Sequence, residues 1–156
     1  MPTDDLRIAR VRPLLTPAIL AEEIPLTAAA EARVTGTRRE VEAVLSGENP
    51  RLLVVVGPCS IHDPDAGRAY AGRLAPLAEA LRERLLVVMR VYFEKPRTVL
   101  GWKGLINDPD LDGSFRINEG LRRARRLLAD VAAAGRGGGT EFLDTTLGQF
   151  FTDLVS

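Results

Sequence analysis

Two strand-length apolar runs constrain this chain more than any other feature. The first is Leu52-Leu53-Val54-Val55-Val56, and it breaks at Gly57-Pro58-Cys59-Ser60-Ile61-His62-Asp63. The second is Leu85-Leu86-Val87-Val88-Met89-Arg90-Val91-Tyr92, and it runs into Phe93-Glu94-Lys95-Pro96-Arg97-Thr98. Neither alternates apolar with polar residues. Continuous apolarity is the pattern of strands buried on both faces of a parallel sheet. Both runs carry their chemically able residues at the C-terminal end, the edge where parallel α/β folds build sites. The only cysteine, the only histidine and both lysines lie between Cys59 and Lys103.

Between and around the strands, helix signals recur. Thr16-Pro17 is an N-cap with proline at the first helical position, so a short helix is expected to Glu23. Thr27 caps a second helix, Ala28 to Ser46, with Ala30, Val34, Val41 and Leu45 near one face. Asp63-Pro64 repeats the cap signature, and that helix is predicted to reach about Arg84 on a stripe of Tyr70, Leu74, Leu77 and Leu81. A third long helix is predicted from Ser114 to Ala134, with Ile117, Leu121, Ala124, Leu128 and Val131 inward. Its Arg122, Arg123, Arg125 and Arg126 read as a solvated face, with Glu119 placed to pair with Arg123 at i,i+4. Gly135 to Gly139 reads as a flexible connection, Glu141 to Asp144 as a third strand, and Leu147 to Val155 as the start of another helix.

The predicted fold class is therefore α/β. A helical leader, residues 1–50, precedes β-α-β-α-β-α, residues 51–156. Such crossovers give parallel neighbours. Three βα units make an incomplete layer, either a small open sheet or the first part of a barrel. The chain stops inside the last predicted helix without a cap, which reads as a fragment. Unpaired apolar sheet edges are then expected, an aggregation hazard.

Composition removes several function classes. Twenty-one basic residues balance twenty-one acidic ones, so nothing global favours nucleic acid or a membrane surface. No apolar stretch approaches the ~20 residues that span a bilayer. One cysteine excludes an internal disulfide and fits a reducing compartment, so a soluble, cytoplasmic protein is expected. A dinucleotide-binding domain is disfavoured because no G-x-G-x-x-G follows the first strand.

The candidate chemistry gathers at the strand ends. Cys59 suits a divalent-metal ligand or a nucleophile, or a buried core cysteine. His62 suits a ligand, a base or a structural histidine, and Asp63 is most simply a helix cap. Arg90 is the only charge in its strand and is costly to bury without an anion. With Lys95 and Arg97 it suits a doubly anionic ligand such as a phosphate ester bearing a carboxylate, or a structural ion-pair network. Glu94 is placed to neutralise one of these cations. Glu141 and Asp144 bring two carboxylates to the same edge.

Three segments in order carry a resemblance: Gly57 to Asp63, Arg90 to Thr98, and Gly101-Trp102-Lys103-Gly104-Leu105-Ile106-Asn107-Asp108-Pro109. With the leader's Asp4-Asp5-Leu6-Arg7-Ile8, the chain resembles type I 3-deoxy-D-arabino-heptulosonate 7-phosphate (DAHP) synthase over nearly its whole length. The resemblance implies a (β/α)8 TIM barrel with an N-terminal extension. It also implies a cytoplasmic homo-oligomer that condenses phosphoenolpyruvate with erythrose 4-phosphate in the shikimate pathway, without nucleic acid or membrane. It implies a divalent metal such as Mn2+ or Fe2+, with Cys59 as one ligand and the other ligands in a further C-terminal half. Arg90, Lys95 and Glu141 would bind phosphoenolpyruvate, and Arg90 and Lys95 would act in catalysis. Lys95, Pro96, Arg97 and Thr98 would hold erythrose 4-phosphate, and Lys103 would lie near the site. Asp5 and Gln149 match an effector site for an aromatic amino acid, although Thr145-Thr146-Leu147-Gly148 departs from its pattern. The chain alone is expected to be inactive. The competing reading is a non-catalytic interaction or aromatic-amino-acid-binding module.

Overall fold

The computed structural model describes residue 8 and residues 11–95 and 101–156. Asp5, Pro96, Arg97 and Thr98 lie outside these residues. Three parallel strands form one sheet in the order β1-β2-β3: β1 is Leu52–Val56, β2 Leu85–Arg90 and β3 Gly138–Gly139. Helices α1 (Pro17–Glu23), α2 (Ala28–Leu45), α3 (Pro64–Ala80) and α4 (Ile117–Ala133) surround it, and two 3-10 turns, Leu147–Phe150 and Thr152–Leu154, end the chain. Among the described residues no helix is long and apolar enough to cross a membrane.

The caps sit where their residue types place them. Thr16 Oγ1 accepts from the Ile19 N–H at 3.3 Å, Thr27 Oγ1 from Ala30 at 3.2 Å, and Asp63 Oδ1 from Asp65 at 2.8 Å. Each satisfies one of the donors that a helix start leaves free.

Strand β2 pairs in register with β1 from Leu52↔Leu85 to Val56↔Met89. It buries Leu86, Val88 and Met89 as expected. Strand β1 does not: Leu52 is 65 % and Val55 53 % exposed. As the edge strand it has a ladder neighbour on one side only, so its apolar run is only half used among the described residues.

The third strand is displaced from the position that the apolar residues predicted. The ladder forms at Gly138–Gly139, paired with Met89 and Arg90, while Glu141 to Asp144 lies beyond it. The Met89 and Val91 N–H groups donate to Gly137 and Gly139 carbonyls at 2.9 and 2.8 Å. A Cβ at Gly138 would sit 3.1 Å from Leu128. Small residues let this segment lie tightly against β2 and α4, and backbone pairing wins over side-chain propensity. The predicted final helix is likewise replaced by the two 3-10 turns.

Helix α4 starts at Ile117, three residues later than predicted, because Phe115 holds φ +51°. Its stripe, from Leu121 to Val131, is buried as read. Helix α3 faces the core with Gly67, Ala71 and Ala78, while Leu77 is 61 % exposed and Leu81 is exposed too. Small residues permit close packing, and a Cβ on Gly67 would already meet Leu127 at 3.0 Å. In α2 the expected Leu45 is exposed, and Thr37 takes the buried position.

The largest correction is Arg125. It does not lie on a solvated face but is 2 % exposed. Its Nε donates to the Ile24 carbonyl at 2.7 Å and Nη1 to the Phe150 carbonyl at 3.0 Å. Nη1 and Nη2 also grip the Asp153 carboxylate at 2.7 and 2.8 Å. Arg122 and Arg123 instead pair at the surface with Glu23 and with Glu119 and Asp110. Leu20, Ile24, Ala30 and Val34 from the leader share one core with β2, α4, Phe150 and Phe151.

Replacing Arg125 by methionine leaves two buried carbonyls without donors. The expected loss is roughly 2–4 kcal/mol of unfolding free energy, read from urea midpoints. Asp153→Asn should cost less, about 1 kcal/mol, because that carboxylate is 40 % exposed and solvent screens it. Gly120 packs under the loop after β2, where a Cβ would lie 2.2 Å from the Ile106 carbonyl oxygen. Gly120→Ala is therefore expected to cost roughly 1–3 kcal/mol by the same measurement.

Candidate active site

The turn after β1 carries Cys59 and is fastened to the end of β2. The Ile61 N–H donates to the Tyr92 carbonyl at 2.8 Å. Gly57 makes the approach possible, since a Cβ there would fall 2.5 Å from the Arg90 carbonyl oxygen. Arg90 returns the contact, its Nη2 donating to the Cys59 carbonyl at 3.1 Å. The Arg90 guanidinium carbon lies 3.8 Å from the centre of the Tyr92 ring, a cation–π arrangement. Its Nε is buried without a hydrogen-bond partner among the described residues. A half-buried cation with a free donor is the electrostatic condition for holding an anion.

The loop after β2 brings in Lys95. Glu94 and Gly104 form an isolated antiparallel bridge, and the Lys95 N–H donates to the Lys103 carbonyl at 3.1 Å. Gly104, at φ +115°, is needed for this closure, because a Cβ would come 2.1 Å from the Phe93 carbonyl oxygen. Leu105 and Ile106 are fully buried and anchor the loop. The Trp102 indole N–H donates to the Asp108 carbonyl at 2.7 Å. These contacts fasten residues 102–108 to the rest of the fold.

Held this way, Lys95 Nζ donates to Cys59 Sγ at 2.9 Å. Cys59 is exposed rather than buried in the core. The Lys95 hydrogen bond, then the lysine charge, and more weakly Arg90, hold the Cys59 thiol below its ordinary range. Glu141 opposes this through its negative charge, which places it within electrostatic reach of the sulfur. A thiolate beside cations is a competent ligand or nucleophile.

Among the described residues Glu94 forms no ion pair with Arg90 or Lys95, and Arg97 lies outside them. Glu94 is buried, and burial first and the Asp144 charge second push its carboxyl above the ordinary value, while contacts with the Leu143 backbone and the Asn107 side chain oppose the rise. Asp144 caps the following turn, accepting from Thr146 N–H at 2.7 Å and Leu147 N–H at 3.3 Å. His62 is exposed and meets the Trp102 ring edge-on at 6.5 Å. The Lys103 side chain is exposed, and its backbone supports Lys95. Gln149 is exposed on the first 3-10 turn. The sequence reading missed Tyr92 as the platform under Arg90, although residues two apart on a strand share a face. Among the described residues no group of three His, Cys, Asp or Glu side chains is close enough to hold a metal.

The Lys95–Cys59 contact has a direct readout. Alkylation of Cys59 by iodoacetamide should persist to lower pH than for an unperturbed thiol. Lys95→Met removes the largest cause of the depression, so the midpoint of the rate–pH profile should move upward. An unmoved midpoint would mean that the ammonium does not govern the sulfur.

Comparison with known proteins agrees over most of the chain. Residues 23–156 match the family model described as the DAHP synthetase I family. The Trp-sensitive phospho-2-dehydro-3-deoxyheptonate aldolase of Escherichia coli K12 is 55 % identical over 154 residues, 99 % of this chain and 44 % of the relative. The Trp-sensitive protein of Enterobacter agglomerans is 54 % identical with the same coverage. The solved phospho-2-dehydro-3-deoxyheptonate aldolase of Francisella tularensis SCHU S4 superposes with a TM-score of 0.92 at 46 % identity, over 95 % of this chain and 43 % of that one. The chain thus spans less than half the length of the curated relatives it matches. On the match across residues 23–156 and the close likeness in three dimensions, the chain belongs to the DAHP synthetase I family.

Proposed function

We propose that this chain supplies one part of the substrate rim of a 3-deoxy-7-phosphoheptulonate synthase. That enzyme is a transferase joining phosphoenolpyruvate to erythrose 4-phosphate with release of phosphate, and its complete fold is a (β/α)8 barrel. The observation that carries the reading is the convergence of Arg90 and Lys95 on Cys59 at the C-terminal edge of the parallel sheet. Both substrates are anionic and repel one another. A rim that presents fixed cations offsets this repulsion and orients them, the dominant contribution when two reactants must meet.

In this reading Arg90 binds the phosphoenolpyruvate phosphate or carboxylate through its guanidinium. Lys95 stands between the two substrates, and Pro96, Arg97 and Thr98 continue toward the erythrose 4-phosphate phosphate. Glu141 orients the cations. Cys59 would be the chain's one donor to a divalent ion, and its exposed, cation-flanked sulfur fits that role. When bound, such an ion polarises the aldehyde oxygen as a Lewis acid. The segment before β1, residues 1–50, would serve assembly of a homo-oligomer, and Asp5 within it would bind an effector together with Gln149 from the first 3-10 turn.

The test is a chimera in which this chain replaces the matching 154 residues of the Escherichia coli K12 relative. With phosphoenolpyruvate, erythrose 4-phosphate and manganese it should release phosphate steadily. Arg90→Ala should lower kcat/KM at least ~100-fold, about 3 kcal/mol of transition-state stabilisation. A chimera that turns over equally well without Arg90 would overturn the assignment. The 156-residue chain by itself is expected to give no turnover, since among its described residues no three His, Cys, Asp or Glu side chains come together to hold a metal.

A further inference from the structure

We propose that Cys59 and Lys95 are a redox-sensitive pair, joined by hydrogen peroxide through a covalent sulfur–oxygen–nitrogen bridge between Sγ and Nζ. The two atoms are 2.9 Å apart. Both ends are held from behind: Arg90 fastens the Cys59 carbonyl, and the Lys103 carbonyl fastens the Lys95 N–H. Cys59 is exposed, so peroxide reaches it. It is also the only cysteine of the chain, so oxidation cannot end in an internal disulfide. A cysteine sulfenic acid ordinarily condenses with a thiol or a nearby nitrogen. Here the nitrogen in place is Lys95 Nζ. An oxygen seated between the two atoms needs less movement than closure to a direct sulfur–nitrogen bond.

The chemistry balances in two steps. A first peroxide transfers one oxygen to the thiol, giving a sulfenic acid and one water. The Lys95 ammonium loses a proton to solvent. A second peroxide accepts one hydrogen from the sulfenic O–H and one from the amine as the oxygen–nitrogen bond forms, and is itself reduced to two waters. The bridge removes the sulfur donor and the lysine cation together. A thiol reductant restores both. This inference goes beyond the proposed condensation and depends only on the Cys59–Lys95 contact, so it stands or falls independently of what the site binds.

The purified chain is treated with hydrogen peroxide, digested without reductant and mapped by mass spectrometry. The expected product is a Cys59 peptide joined to a Lys95 peptide, heavier by one oxygen and lighter by two hydrogens than the unlinked pair. It should vanish on treatment with dithiothreitol. It should be absent from Lys95→Arg, retained in Lys103→Arg, and lost when peroxide is added to the urea-unfolded chain. The unmutated protein decides the question without any variant. Recovery of Cys59 as sulfinic or sulfonic acid beside unmodified Lys95 would overturn the proposal. So would a bridge that forms equally well in the unfolded chain.

Discussion

The buried guanidinium of Arg125 ties together three parts of the chain that are far apart in sequence. From the middle of α4 it reaches the end of α1 at Ile24 and the C-terminal turns at Phe150 and Asp153. A charge at this depth is costly unless every donor is met. Here two carbonyls and a bidentate carboxylate accept four hydrogen bonds from it. The leader and the chain end are therefore held against one helix, and the same core of Leu20, Ile24, Leu121, Phe150 and Leu154 closes around the link.

That framework positions the rim. Strand β2 is the central strand, paired to β1 on one side and to two glycines on the other. Its end delivers Arg90, and the following loop doubles back through the Glu94–Gly104 bridge to deliver Lys95. The turn after β1 delivers Cys59 to the same place. Glycines at 57 and 104 allow backbone approaches that any side chain would block. The cations then impose the chemistry: a lysine ammonium at hydrogen-bond distance favours the thiolate of an exposed cysteine.

Much of this was legible in residue patterns, and the failures have physical causes. The caps at Thr16, Thr27 and Asp63 were readable because a cap is a contact within three residues. The stripe of α4 was readable because helical periodicity is local. Arg125 was misread because its neighbours Arg122, Arg123 and Arg126 make a charged run, and nothing local distinguishes the one that turns inward. Strand β3 was misplaced because Glu141 to Asp144 looks more like a strand than two glycines do. Pairing was decided instead by how closely residues 137–139 could approach Met89 and Val91. The exposed Leu52 and Val55 show the converse, an apolar run whose second face has no cover among the described residues.

The sequence by itself determined the parallel α/β class, the caps, and the family, because these rest on short-range patterns and on motifs whose residues stand next to one another. Only the tertiary structure decided that Cys59 is exposed and bonded to Lys95, that Arg90 reaches the Cys59 carbonyl, that Glu94 is buried, and that Arg125 belongs to the core. Each of these depends on segments 30 or more positions apart, or on a loop folding back on itself. Such contacts are set by packing and charge compensation across the fold, which residue order constrains but does not spell out.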